Sequence, residues 1–174
     1  NIIREGGMML KIKQLITFLI ISNLLTLGFV CYSIVQHNFQ QESYFLDEIQ
    51  APLVQLQATI NHQKENNWKD PELISYQAST IQNSLEKVLD KSHFAHSKLT
   101  EHEQSNLLQI NKALQKLPQN TEYTIANWKK EDQQKAIALE RTLKKAKLSN
   151  DDTNHEDYKS FMKQCKIVAN ELKE

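Results

Sequence analysis

Three histidines, His93, His96 and His102, lie close together in this chain, with Glu101 and Glu103 beside the last of them. His93 and His96 are three apart and share a face of any helix, and three imidazoles can hold zinc or copper. Their spacing fits no usual structural zinc pattern, no cysteine lies near, and the surrounding stretch reads as a solvated helix–loop junction. The carboxylates of Glu101 and Glu103, or of Asp151 and Asp152, invite a general acid–base reading. That chemistry needs carboxyls held in a partly desolvated pocket, whereas these fall in polar caps and loops. Haem would need a His or Met aimed into a helical core, and no histidine falls on an apolar stripe. From Phe29 to Glu174 there is no glycine, so neither a nucleophile elbow nor a phosphate-cradling loop can form. The expectation is a non-enzymatic chain with no catalytic residue, no cofactor and no metal, His93, His96 and His102 being the weak metal candidates.

The same lack of glycine bears on the elements that would position any site. Hairpin turns and bulges call on glycine, so 146 residues without one predict an all-α fold. Apolar residues recur at spacings of three and four throughout. They fall at Leu46, Ile49, Leu53, Leu56 and Ile60, with Pro52 expected to bend this helix or mark a joint at the preceding turn. Lys64 to Pro71 reads as a loop, with Asp70 and Pro71 at the cap and first turn of a second helix carrying Ile74, Ala78, Ile81, Leu85 and Val88. Thr100 and Glu103 have capping-box spacing for a third, with Leu107, Ile110, Leu114 and Leu117 before Pro118. Asn120 or Thr121 is expected to cap a fourth, with Ile125, Trp128, Ala136, Leu139, Leu143 and Ala146. A polar break from Ser149 to Asn154 precedes a last helix with Tyr158, Phe161, Cys165, Val168 and Leu172. Each segment has one apolar stripe, so an antiparallel bundle of about four to five helices is the expected architecture.

Ahead of the bundle, no charged residue occurs between Lys13 and Glu42. Leu15 to Val35 is 21 residues, enough at 1.5 Å per residue to cross a hydrocarbon core of about 30 Å. Lys11 and Lys13 precede it, and no Lys or Arg follows until Lys64, so residues 1–13 are expected in the cytoplasm, 14–35 in the membrane and 36–174 outside. A cleaved signal peptide would have a shorter apolar region and a small-residue site; here the run ends Gly28-Phe29-Val30-Cys31, without one. Ser22 and Asn23 sit near the midpoint with Thr26 one turn on, candidates for contact with a partner helix. Glu5-Gly6-Gly7 before Met8-Met9 can be encoded by a purine-rich ribosome-binding sequence. Residues 1–7 thus read as a translated leader from a bacterial source.

Past residue 35 the charges are 18 basic and 20 acidic, which gives no electrostatic reason to hold nucleic acid. Cys31 lies in the apolar run and Cys165 on a core stripe, so no disulfide is expected within the bundle. Trp68, alone in a polar loop, is a candidate partner anchor. The expected role is a single-pass membrane protein of the cell envelope, a structural or interaction subunit binding other membrane or envelope proteins or a second copy of itself. A membrane helix running into the first bundle helix, with Pro52 in Leu46-Asp47-Glu48-Ile49-Gln50-Ala51-Pro52, resembles the extracytoplasmic four-helix region of bacterial chemoreceptors. That resemblance covers roughly the first 60 residues and implies ligand sensing as the alternative function.

Overall fold

The computed structural model describes residues 2–90, 99–120, 125–150 and 157–173. Among them are six α-helices and one π turn: α1 (Ile2–Phe45), the π turn (Leu46–Gln50), α2 (Ala51–Glu65), α3 (Glu72–Leu89), α4 (Glu101–Gln115), α5 (Lys130–Lys145) and α6 (Tyr158–Glu171). No strand occurs among the described residues. The chain divides into two compact units, residues 1–41 and 42–174.

In the first unit, Lys13–Gln36 forms 24 residues of helix with a mean hydropathy of 2.1 and no buried side chain. It is long and apolar enough to cross a membrane.

In the second unit each of the five helices packs chiefly against two others, closing a ring in the order α2, α3, α4, α6, α5 and back to α2. The apolar stripes face inward. Ile49, Leu53, Leu56, Ile60, Ile74, Ile81, Leu85, Leu107, Ile110, Leu114, Leu143, Phe161 and Val168 are all fully buried, each contributing about 2–3 kcal/mol of transfer free energy. Phe45, the last residue of α1, joins them and meets the Tyr158 ring edge-on at 5.2 Å. Cys165 is also fully buried, and burial pushes its thiol above the ordinary cysteine range.

Pro52 leaves a joint without breaking the helix. Proline has no N–H to offer the carbonyl four residues back, and its ring crowds that carbonyl. The chain absorbs this by widening into the π turn just before it, where the Ala51 N–H bonds to the Leu46 carbonyl. The start of α4 follows the sequence closely, whereas at α3 the N-cap is Pro71 rather than Asp70 and no side chain caps it. Thr100 Oγ1 accepts the Glu103 N–H while a Glu103 carboxylate oxygen accepts the Thr100 N–H at 2.8 Å, which completes the capping box. Asp157 caps α6, and the Ser160 N–H on its carboxylate holds that carboxyl below the usual range, helped by Lys159 and Lys163.

Two helix ends solve the missing-glycine problem differently. Helices commonly close with a left-handed residue, usually glycine. Here Asn67 (φ 54°), Trp68 (φ 58°) and Lys147 (φ 61°) take that conformation. In each case the next turn closes back, Trp68 N–H to the Gln63 carbonyl at 2.7 Å and Leu148 N–H to the Leu143 carbonyl at 2.9 Å.

The fourth expected helix needs a correction. Helix α5 begins at Lys130, and residues 125–129 are not helical. Ile125 is exposed, and Trp128 is half-buried in an extended segment. The stripe drawn through them skips Asp132, where an apolar residue is due. Asp132 instead accepts the Lys129 N–H at 3.2 Å and so starts the helix. Despite its partial burial, hydrogen bonds from Lys135 and Lys129 hold its carboxyl low. Of the two expected caps, Thr121 lies outside the described residues, and Asn120 does not cap a helix: its Oδ1 accepts the Ala126 N–H at 2.9 Å, and Lys129 is the N-cap of α5.

Candidate functional site

Only part of the histidine cluster falls among the described residues. His93 and His96 lie outside the described residues, as do Asp151 and Asp152, while His102 is exposed on α4. No group of three His, Cys, Asp or Glu suited to a metal occurs among the described residues. On α1, Asn23 Nδ2 donates to the Leu19 carbonyl and Thr26 Oγ1 to the Ser22 carbonyl, both at 2.9 Å. Their donors are thus satisfied within the helix, a back-bonding pattern that lets polar residues sit on an apolar helix.

Trp68 does not stand alone. Its ring stacks on Trp128 at 6.0 Å, and Trp128 Nε1 donates to Ser75 Oγ at 3.0 Å on the first turns of α3. The buried Gln63 amide fastens the same loop, its Oε1 accepting the Asp70 N–H at 3.0 Å. These ties hold two adjacent non-glycine residues in a left-handed conformation that L side chains rarely adopt. The two tryptophans therefore join the α2–α3 loop to the irregular segment that leads into α5.

A seam of polar residues runs from the π turn along α2, buried at Gln50 and Gln57 and exposed at Lys64. Gln50, Gln57 and Lys64 recur every seven residues and so face one way. Gln50 Nε2 donates to Gln164 Oε1 at 2.9 Å, and Gln164 Nε2 donates on to the Lys147 carbonyl at 3.3 Å. Gln57 Nε2 donates to Glu140 Oε1 at 2.9 Å, and Lys64 Nζ lies 3.8 Å from Glu140 Oε2. Glu140 is only 4% exposed, so removing either partner would leave a buried carboxylate under-compensated. This seam fixes the register of α2 against α5 and α6.

The surface that remains unused lies between α2 and α3. A groove of about 370 Å³ is lined by Pro52, Gln55, Thr59, Leu73, Tyr76, Gln77 and Thr80. Leu73 is 50% exposed and Tyr76 68% exposed, and both lie off the inward stripe of α3. Gln77 Oε1 is buried yet accepts no hydrogen bond, a state that costs about 1–3 kcal/mol for a buried acceptor. No family model, curated protein or solved structure matches the chain. Its functional surface must be argued from its own residues.

Sequence reasoning passed over this groove. The available signal was that Leu73 and Tyr76, three apart, belong to no inward stripe. The heptad of Gln50, Gln57 and Lys64 was likewise legible but passed over, because polar residues on a helix ordinarily face water.

Proposed function

We propose that the chain is a membrane-anchored, extracytoplasmic antiparallel helical bundle of bacterial type, acting as a non-enzymatic interaction subunit of an envelope-associated complex. The α2–α3 groove carries this reading. Two apolar side chains stand in water beside a carbonyl oxygen that is cut off from water and unpaired. A partner that sets an apolar side chain between Leu73 and Tyr76 would take both out of water, and a rotation of the Gln77 amide on docking would let its Oε1 accept a hydrogen bond. The length and hydropathy of Lys13–Gln36 support the anchor, and Lys11 and Lys13 ahead of it support a cytoplasmic N-terminus.

The test is affinity purification of the full chain from native membranes in mild detergent, for wild type and for a Leu73→Glu, Tyr76→Glu variant. The expected result is a stoichiometric partner held by wild type and lost by the variant at unchanged helicity. A partner that is another protein supports the subunit role, and a second copy of this chain supports a homodimer built on the same groove. A lone wild-type chain, or a partner retained by the variant, overturns the reading.

A further inference from the structure

Helices α4 and α6 enclose a second and larger groove, of about 770 Å³, which shares no lining residue with the first. Along it stand Lys159, Lys163, Lys166 and Lys173, all exposed. Steps of four, three and seven place the first three on one face of α6, and Lys173 follows just past its end. At 1.5 Å per residue the row extends over about 21 Å.

None of the four makes an ion pair among the described residues. Among the described residues, Glu103 lines the same groove, and its carboxylate accepts hydrogen bonds rather than pairing with one of these lysines. Glu103 is bound by the Thr100 N–H and Oγ1 at 2.8 Å each. Asp157 caps Ser160 at 2.8 Å, and Glu171 pairs with Lys145 at 2.7 Å. Glu103 in the groove and Asp157 beside Lys163 offset part of this charge, yet four like charges on one side of a helix still repel one another. In a unit whose charges nearly balance, that segregation points to an acidic occupant.

We propose that the α4–α6 groove docks an extended acidic polypeptide segment of a partner protein. The floor decides between an acidic peptide and other anions. Met162 and the Tyr158 ring supply apolar surface at the bottom. Asn106 and Asn170 each offer both a donor and an acceptor, which suits a peptide backbone. A phosphate polymer accepts hydrogen bonds only and leaves the amide oxygens and the apolar floor unused. A lipid surface is too flat to enter a groove between two helices. The Tyr158 phenol is a donor at neutral pH like any tyrosine, and burial, with the Glu103 carboxylate nearby, only raises its titration further. A row of about 21 Å matches about six residues of extended chain at 3.3 Å each.

The experiment is fluorescence anisotropy with the full chain in non-ionic detergent and a labelled peptide of alternating acidic and leucine residues, run at two salt concentrations. Three versions are compared: wild type, Lys163→Glu with Lys166→Glu, and Lys87→Glu on α3 as an off-groove control. The expected result is saturable binding that weakens with salt, falls at least tenfold in the double variant and is unchanged in the control. Equal binding by the double variant, or no binding by wild type, overturns the proposal. Competition by polyphosphate at lower concentration than by unlabelled peptide, or stronger binding to phosphatidylglycerol vesicles than to peptide, also overturns it, because the occupant would then be a phosphate polymer or a membrane.

Discussion

The two units are both helical and draw on many of the same residue types, yet they treat apolar side chains in opposite ways. From Lys13 to Gln36 the apolar residues point in every direction and none is buried. From Phe45 onward most of them lie on stripes that vanish into a common core, with Leu73, Tyr76 and Ile125 among the exceptions. A helix that is apolar all round gains nothing by packing one face, so it needs an apolar solvent or neighbours on every side. A helix that is apolar on one side is satisfied by its neighbours alone. Polar residues differ in parallel. Thr17, Asn23 and Thr26 bond back to their own helix, while Gln50, Gln57 and Gln164 reach across to partners distant in sequence.

The largest expected effect separates the two treatments directly. Phe161→Ala should destabilise the second unit by about 3–5 kcal/mol, because a fully enclosed ring leaves a cavity. Phe29→Ala, on the exposed surface of α1, should leave it unchanged. Denaturant-dependent amide exchange of the full chain in detergent reads both, and equal losses would collapse the distinction.

Next in size, Leu24→Arg near the middle of the apolar run should cost about 3 kcal/mol of membrane insertion. Carbonate extraction of membranes checks it: the variant should move toward the soluble fraction with its second unit still folded. Unchanged fractionation would remove the membrane reading of α1.

A smaller effect runs the other way. Lys147→Gly should stabilise the second unit by about 0.5–1 kcal/mol, since glycine adopts the left-handed cap without strain. The gain should appear as a higher thermal midpoint, and a loss would mean that the lysine side chain does more than close α5.

The smallest concerns acid. The Asp157 carboxyl is held below its ordinary value of 3.8 by the Ser160 N–H. A carboxylate favoured in the folded state stabilises fully above that ordinary value, and the contribution disappears as pH falls through the lowered one. Thermal melts of wild type and Asp157→Ala should therefore differ at neutral pH, begin to converge only below about pH 4, and meet once pH has fallen past the lowered value. A gap that persists in acid would show that the cap acts through something other than charge.

How much was legible beforehand can be argued from single residues. The stripe Ile74, Ala78, Ile81, Leu85 and Val88, the Thr100 capping box and the buried Cys165 all emerged as read, because each rests on local periodicity or local capping. The start of α5 did not, because Ile125 and Trp128 have helical spacing while Trp128 is held elsewhere by Ser75 and Trp68. Trp68 looked solitary because its partner is sixty residues away. The two grooves were invisible for the same reason: Leu73 gains meaning only beside Pro52, and Lys163 only beside Asn106.

The sequence by itself determined that the chain is helical, where most helices begin and end, and that one run is apolar on every face. Those properties follow from glycine content, capping residues and the 3.6-residue repeat, all of which act over a few residues. Only the tertiary structure decided which helices are neighbours, which glutamines meet, and which apolar and cationic residues are left uncovered. These depend on which surfaces come together across gaps of tens of residues, and spacing along the chain carries no record of that.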